Sequence, residues 1–457
     1  MTMFFISVLS FVFAIGVLVA VHEWGHYIVA RMAGVKVLRF SVGFGRPIWK
    51  RRRGPDQTEY CISSIPLGGY VKLLDEREGT VSPEDRHRTF NSQPIVARIA
   101  ILVAGPAMNF LFAIVAFWCM YQVGVPGLVP VIGQVESGSI AAEAGVRDGD
   151  RIVAINQRPV ATWEGAALGL LDAILEDPAV QIEVSGQQSN GGSRVLSIDT
   201  GDRIGELTEP GALLPGIGIT PWSPVVAPVI GEIVAGGSAE AAGLQAGDLV
   251  LSADGDAVTD WSGWVQYVRA RPNQDVQVIV RRDEAELSLS LRIEEAEDEG
   301  QLIGRIGAGV SLPDDLYAGY RAEQRYTGLD GLLKAVQRTW SMSELTVRMV
   351  GRMVTGDVSA RNISGPINIA QYAGYSASIG LTPFLSFLAV VSLSLGIINL
   401  LPIPILDGGQ VVYQLAEAIK GRPLSERTQA LGQQIGIAFL VLIMSFAFYN
   451  DLSRFFS

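Results

Sequence analysis

The chain is poor in the residues that build disulfide frameworks and cysteine metal sites. It holds two cysteines, Cys61 and Cys119, and three histidines in 457 residues. Two cysteines are too few for either device. Charged residues are also scarce, at 18% against about 25% in soluble domains. With 49% apolar residues, the composition argues against a disordered chain or an ordinary soluble enzyme and predicts a membrane protein of about two to four folded units.

Acidic charge is concentrated in the middle of the chain. The net charge is −19 over residues 128–320, +5 over 1–127 and +3 over 321–457, which gives −11 in total. An acidic block between two basic ones predicts a water-soluble insertion held between two membrane parts. Such a block repels nucleic acid, so nucleic-acid binding is excluded.

Four stretches are apolar and long enough to cross a bilayer, which requires about 20 residues in a helix. They lie at 1–21, 100–123, 384–401 and 428–450. Lys and Arg are frequent in the loop that follows the first stretch and recur in the loop between the last two, so the positive-inside rule predicts that both loops are cytoplasmic. The acidic block and both termini then face outward. A cleaved signal peptide is the alternative for the first stretch, but no Lys or Arg precedes Arg31 to form a basic n-region.

The acidic block contains an internal repeat at a constant offset of 98 residues. The sequence Pro-Val-Ile-Gly at 130–133 returns at 228–231, and the Gly-Asp pair at 149–150 returns at 247–248. In each copy a predicted strand leads through small residues into this Gly-Asp turn, and a second strand follows. Two copies of one domain are therefore predicted.

The repeated pattern resembles the PDZ domain in the circularly permuted form seen in bacterial proteases. The resemblance implies two α+β PDZ domains, at 128–222 and 223–313. PDZ domains take up a peptide as an added strand, so we interpret the copies as devices that capture or screen substrates. The alternative is a spacer that only holds the membrane parts in place.

Two histidines stand four positions apart at the end of the first apolar stretch, in the sequence His22-Glu23-Trp24-Gly25-His26. In a helix, positions i and i+4 share a face, so both imidazoles can reach one ion. Glu23 stands beside that face, where it can take a proton from water. Unpartnered ionisable groups are costly in a bilayer. The sequence therefore predicts that His22 and His26 bind Zn²⁺ and that Glu23 is the catalytic base.

A third zinc ligand is expected, because catalytic zinc takes three protein ligands and keeps one position open. The remaining histidine, His87, lies among charged residues, which is typical of a solvated loop. Asp407 is the only acidic residue between Asp357 and Glu417 and directly follows the third apolar stretch. Prolines before it forbid a regular helix, and glycines after it let the backbone approach an ion. We predict Asp407 as the third ligand; the alternative is that Asp407 only caps the next helix.

The zinc motif, the segment from Asn399 to Gly408 and the tandem repeats together resemble the site-2 proteases over essentially the whole chain. The resemblance implies peptide-bond cleavage inside the membrane, with Zn²⁺ on two histidines and one aspartate and with Asn399 assisting at the active site. The alternative for Asn399 is a hydrogen bond between packed helices. The implied substrates are single-span membrane proteins, such as an anti-sigma factor already trimmed on its outer side, or remnant signal peptides. The implied location is the bacterial inner membrane.

Two further patterns match that family. Segments 37–44 and 60–73 alternate like strands and resemble its membrane-embedded β element. The residues there that are predicted to bind substrate are Val42, Gly43, Phe44, Gly68 and Gly69. The segment 105–109 matches the family pattern Gly-x-x-x-Asn, which we interpret as close helix packing.

The predicted fold is thus a multi-pass α-helical membrane protein with four transmembrane helices, a membrane-associated β element and two PDZ domains. The membrane domain comprises 1–127 and 378–457, and 314–377 is a periplasmic connector. Within the connector, residues 329–354 predict an amphipathic helix that lies on the outer membrane surface against lipids or simply connects its neighbours.

Two other classes of function make different predictions. A membrane scaffold that recruits partners through PDZ domains predicts a decayed metal site, yet both histidines, Glu23 and Asp407 are present. A metal transporter predicts further ionisable residues along the spans, and the fourth stretch holds only neutral polar residues.

Overall fold

The computed structural model describes residues 2–77, 79, 81–186, 192–298, 301–313 and 315–456. The chain forms two compact units, one from residues 1–220 and 322–457 and one from 221–321. The predicted connector boundary at residue 314 lies outside the described residues.

The first part of the chain consists of two long helices joined by a β hairpin. The elements are α1 (Thr2–Met32), β1 (Val37–Arg53), β2 (Thr58–Leu73) and α2 (Ile95–Val123). A helix satisfies its own backbone hydrogen bonds, which is a requirement for a segment that crosses lipid. The helix α1 continues past the apolar stretch, so His22, Glu23 and His26 lie on it.

The β1–β2 hairpin folds back on itself. Residues 39–42 pair on one side with 69–72 and on the other with 59–62, and 47–53 pair with 58–63. The spatial order of the segments is therefore 69–73, 37–42, 59–62, 47–53. Gly43, Gly45 and Gly68 have φ of 94°, 87° and 133° and provide the turns, which other residues would adopt only with strain. Segments 69–73 and 47–53 are the two outer edges, and no other described strand pairs with them. The strands predicted at 37–44 and 60–73 are confirmed.

The first repeat follows α2. Its elements are β3 (Val125–Leu128), β4 (Ile132–Val135), α3 (Ile140–Glu143), β5 (Arg151–Ile155), β6 (Arg158–Pro159), α4 (Trp163–Glu176), β7 (Ala179–Ser185), β8 (Ser193–Asp199), α5 (Ile204–Leu207), α6 (Leu213–Ile217) and β9 (Ile219–Pro221). One sheet has the order β6-β5-β7-β8, and β4 pairs with β9. Alternate apolar residues of these strands and one face of α4 form a buried core.

The second repeat has its own core. Its elements are β10 (Ile230–Ile233), α7 (Ser238–Ala241), β11 (Leu249–Ala253), β12 (Asp256–Ala257), α8 (Trp261–Arg269), β13 (Asp275–Arg282), β14 (Ala285–Arg292), β15 (Glu294–Asp298), β16 (Gln301–Arg305) and β17 (Ala308–Val310). The sheet order β12-β11-β13-β14 and the pair β10–β17 match the first repeat. The two copies differ after the last strand of their four-stranded sheets, β8 and β14, where α5 and α6 of the first copy stand in place of β15 and β16. The predicted repeat is confirmed as a structural one, and the PDZ identity of the copies stays a prediction.

The rest of the chain is almost entirely helical. Its elements are β18 (Arg321–Gln324), α9 (Gly328–Thr355), α10 (Pro366–Ile379), α11 (Leu381–Leu400), α12 (Asp407–Lys420) and α13 (Glu426–Phe456). The helix predicted at 329–354 is confirmed. α10 was not predicted from the sequence, and a helix after Asp407, here α12, was named only in the alternative in which Asp407 caps it. α10 and α11 lie in one uncharged segment, so hydropathy alone does not show where one helix ends and the next begins. Gly380, with φ of 144°, separates the two helices.

In the described part of the chain, four helices are long and apolar enough to cross a membrane, as predicted. They are Met3–Met32, Ile95–Val123, Leu381–Leu400 and Arg427–Ser453. The first repeat is docked on α9, because Arg348 lies 2.8 Å from an Asp172 carboxylate oxygen and Leu345 packs on Leu175. The first repeat therefore belongs to the same compact unit as the membrane helices.

A buried ion pair recurs in both repeats, as Asp150 with Arg194 and Asp248 with Arg282. Arg282 donates two hydrogen bonds to Asp248, at 2.8 and 2.7 Å, and holds the pKa of this carboxyl below its ordinary value of 3.8. A lowered pKa means that the pair stabilises the fold at neutral pH and that this stabilisation is lost as the pH falls through the lowered value.

We predict that Asp248→Asn speeds hydrogen exchange of the β13 and β14 amides about tenfold at neutral pH, because it leaves Arg282 without its partner. The ratio of variant to wild-type rates should fall toward one in acid. The control is Asp275→Asn, whose pair with Arg292 is exposed and should matter little. Equal ratios for the two variants at neutral pH would contradict the assignment.

Candidate metal centre

The last turns of α1 bring three ionisable side chains together. His22 and Glu23 are 8% and 9% exposed, and His26 is half-buried on the same helix. The i, i+4 spacing places the two imidazoles side by side, with their Nε2 atoms 3.2 Å apart. His22, Glu23 and His26 of α1 therefore form one side of the site that the sequence predicted.

Asp407 reaches the histidines from the other end of the chain. α11 ends at Leu400, the proline-containing segment after it is not helical, and α12 begins at Asp407. A Cβ on Gly408 would lie 2.2 Å from the Leu400 carbonyl oxygen, and one on Gly409 would lie 2.1 Å from that of Ile403. Only glycine fits at both positions, so these two residues allow the tight turn that directs Asp407 inward.

The three predicted ligands converge on one point. Asp407 Oδ2 lies 3.2 Å from His22 Nε2 and 3.5 Å from His26 Nε2. Two donors bound to one zinc ion at about 2.0–2.1 Å in tetrahedral geometry are separated by about 3.3 Å. Asp407 Oδ2 is buried and has no well-aligned hydrogen-bond partner among the described residues. A divalent ion would satisfy it, so the residues fit a metal. His22, His26 and Asp407 are the one such group found in the described part of the chain.

Helix α2 orients both imidazoles. His26 Nδ1 donates to the Ile101 carbonyl oxygen at 2.7 Å, which leaves Nε2 as the unprotonated nitrogen that can bind metal. The Asn109 side-chain amide lies 3.1 Å from His22 Nδ1 and is fully buried. A metal on His22 Nε2 leaves the proton on Nδ1, so in that state the amide presents its oxygen to the ring. A Cβ on Gly105 would lie 2.3 Å from His26 Nε2, so Gly105 provides the space in which the rings sit.

The sequence analysis missed the contact between Asn109 and His22. It assigned segment 105–109 to helix packing, and this is confirmed for Gly105, but Asn109 also contacts a predicted ligand. The available signal was the spacing of four, which puts Asn109 and Gly105 on one face of α2. It also missed Arg98, which forms a buried ion pair with Glu417 of α12 at 3.0 Å.

The sheet edge 69–73 passes beside Glu23. A Cβ on Gly69 would lie 3.2 Å from Glu23 Cγ and 2.6 Å from Val19 Cγ1. Val42 pairs with Gly69 and lies in segment 37–42, the neighbour of this edge in the sheet. Gly43 lies in the turn beyond, and the Phe44 ring covers Gly68. Gly69 therefore lies beside Glu23, and the role of all five predicted substrate-binding residues stays a prediction.

Asn399 and His87 complete the set of polar residues that the sequence analysis considered. Asn399 is half-buried in the last turn of α11, and its assisting role stays a prediction. His87 is exposed in a short 3₁₀ turn at Pro83–Arg88, in agreement with a solvated loop.

We predict that Gly105→Ala lowers divalent-metal affinity at least tenfold, because the new methyl group occupies the place of the His26 ring. Competition with a chelator on the full-length protein measures this. The matched control is Gly16→Ala, whose Cβ meets nothing within 4 Å. Unchanged affinity in the Gly105 variant would show that the rings do not bind the ion in this position.

Asn109→Ala should lower metal affinity about 10- to 100-fold, the usual effect of removing the partner of a metal-binding histidine. The control is Ser392→Ala, which removes a hydrogen bond to the Asn109 carbonyl oxygen and leaves the amide in place. If both variants bind metal equally well, the amide does not orient His22.

Comparison with known proteins identifies the family of this chain. The profile described as Peptidase family M50 matches residues 10–443. The chain is 42% identical over 448 residues to the regulator of sigma-E protease RseP of Escherichia coli (strain K12), which covers 97% of this chain and 98% of that protein. It is 41% identical to a protease RseP of Yersinia pestis, over 98% of each chain, and 41% identical to a putative zinc metalloprotease of Vibrio cholerae, also over 98% of each. The chain therefore belongs to peptidase family M50, the site-2 proteases.

Proposed function

We propose that this protein is a zinc-dependent intramembrane endopeptidase that cleaves the membrane segments of single-span proteins. The observation that carries the proposal is the convergence of His22, His26 and Asp407 on one point beside Glu23. Two imidazoles and one carboxylate are donors that suit zinc and leave its fourth position for substrate or water. Zinc, when bound, acts as a Lewis acid toward the peptide carbonyl and lowers the pKa of water.

Glu23 is the general base. It accepts a proton from the attacking water as the water oxygen bonds to the carbonyl carbon, and it returns that proton to the amide nitrogen as the carbon–nitrogen bond breaks. Asn399 is the candidate donor for the carbonyl oxygen as negative charge develops there. Two fragments result, one with a new carboxylate and one with a new amine.

The sheet edge 69–73 is the candidate binding surface for substrate. A transmembrane helix resists hydrolysis because its carbonyl groups are hydrogen-bonded within the helix, so a segment must unwind before attack. An unpaired strand edge offers backbone groups that replace the lost hydrogen bonds. The contact between Gly69 and Glu23 supports placing the opened segment along this edge, with Val42, Gly43, Phe44 and Gly68 behind it.

The biological setting follows the relatives. One similar protein is named a regulator of sigma-E protease, and we propose the same kind of role here. The substrates would be an anti-sigma factor after a first cleavage, or remnant signal peptides. We place the protein in the bacterial inner membrane, with the repeats and both termini in the periplasm, because the loops after α1 and α12 are the basic ones.

The repeats, which we assign as PDZ domains, would screen substrates. The second repeat supports this role with an open groove of about 510 Å³ between α8 and residues 303–309. Helix and strand walls of this kind accept an added peptide strand. We keep the ranges 128–222, 223–313 and 314–377 for the two domains and the connector.

We predict that Glu23→Gln lowers cleavage of a single-span reporter protein by at least about 100-fold in detergent micelles, because the variant cannot accept the proton. Zinc content should stay at the wild-type level, since Glu23 is not a ligand. His22→Ala should lose both zinc and cleavage, and Glu344→Gln, on the exposed side of α9, should keep both. Full cleavage by Glu23→Gln would refute its role as the base, and partner binding with no cleavage by the wild type would favour a scaffold.

A further inference from the structure

One of the two outer edges of the β1–β2 sheet, segment 47–53, carries a run of cations. This run is Lys50-Arg51-Arg52-Arg53, and we call it the basic edge. Its residues pair on one side with 58–61, and no other described strand pairs with the opposite side. All four side chains are exposed. The basic edge therefore presents four adjacent cations on an open strand.

These cations have few partners within the protein. Arg52 lies 3.4 Å from Glu59, which Arg39 approaches more closely, at 2.7 Å. In the described part of the chain, no ion pair joins Lys50, Arg51 or Arg53 to a carboxylate. Like charges at adjacent positions repel one another. The run is therefore most stable with an anionic surface that comes from outside the chain.

Apolar side chains directly precede the basic edge. Ile48 is 75% exposed and Trp49 is 50% exposed. Exposed aliphatic and tryptophan side chains next to Lys and Arg are typical of the boundary between the hydrocarbon and headgroup layers of a membrane. The other edge of the same sheet contacts α1 at Val19 and Glu23, within a membrane-spanning helix. The sheet therefore extends from a membrane span to a strand with the side chains of a membrane interface.

We propose that the basic edge binds the headgroups of anionic phospholipids, while Ile48 and Trp49 contact the adjoining acyl chains. The charge of the edge is complementary to phosphate groups, and basic segments next to a span are attracted to an anionic leaflet. By the positive-inside rule this is the cytoplasmic leaflet.

Lipid binding at one edge of this sheet has a consequence for the other. Segments 59–62 and 37–42 connect the basic edge to segment 69–73 by backbone pairing, so anchoring one edge restricts the position of the other against Glu23. The effect on cleavage rests on the proposed function, but the lipid contact does not. Anionic lipid should therefore raise cleavage by holding the substrate edge beside the base.

The test uses the full chain in nanodiscs of phosphatidylcholine with 20% phosphatidylglycerol. A bimane fluorophore is attached at Ile48→Cys, with Cys61→Ala and Cys119→Ala to keep the label in one place. Quenching is compared for nitroxide-labelled phosphatidylglycerol and nitroxide-labelled phosphatidylcholine. We expect quenching by the anionic lipid to be about threefold stronger, and the ratio to fall to about one in Lys50→Gln/Arg51→Gln/Arg53→Gln.

The matched control removes three exposed cations elsewhere, by Arg147→Gln, Arg281→Gln and Arg292→Gln, and should keep the threefold ratio. Equal ratios for the wild type and the basic-edge variant would overturn the proposal. Binding of inorganic phosphate at the basic edge together with a wild-type quenching ratio of about one would also overturn it, since the site would then bind free phosphate and not lipid. If the basic-edge triple variant fails to purify with zinc, the single variants Arg51→Gln and Arg53→Gln take its place. Each should lower the ratio of quenching by the anionic lipid to quenching by phosphatidylcholine. The quenching readout does not depend on cleavage, so a failure of the protease assignment would leave this test intact.

Discussion

The close contact between α1 and α2 is the constraint on which the site depends. A Cβ on Gly25 would lie 2.3 Å from the Ala104 carbonyl oxygen, and a Cβ on Gly105 would lie equally close to the His26 ring. Each glycine therefore lies against the partner helix, and small residues at such a point let two backbones approach. The space created between the helices is filled by imidazoles rather than by aliphatic side chains. An ion site can form there only because these helices touch.

Helix α2 is also the common support for the three metal-binding candidates. It orients His26 through Ile101 and His22 through Asn109, and its first turn holds α12 through the Arg98–Glu417 pair. Since α12 begins at Asp407, all three ligands are positioned relative to one helix. Separating the partners of a buried ion pair leaves an uncompensated charge, so such a pair favours the arrangement that keeps its two elements together. The Arg98–Glu417 pair therefore fixes the position of α12 along α2.

The β1–β2 sheet connects the chemistry to the membrane. Its edge at 69–73 lies beside Glu23, and the basic edge at 50–53 directly follows Ile48 and Trp49. We propose that the substrate opens along the edge 69–73 beside Glu23 and that lipid contacts at the basic edge hold the sheet in place. The turns at Gly43, Gly45 and Gly68 fold the two strands into four segments and so separate the two open edges.

Local patterns in the sequence were enough to predict the four spans, the repeat and the three metal-binding candidates. Hydropathy predicts a span because an apolar helix satisfies its own backbone hydrogen bonds in lipid, and the spacing of His22 and His26 places both on one helical face. The tertiary structure decided the contacts that no local period describes: Asn109 with His22, 87 residues apart, and Arg98 with Glu417, 319 residues apart. It also decided that the hairpin folds into four segments and that α5 and α6 replace two strands in the first repeat. Such features depend on which distant segments pack together. The side-chain periodicity of one segment does not indicate which other segment it contacts.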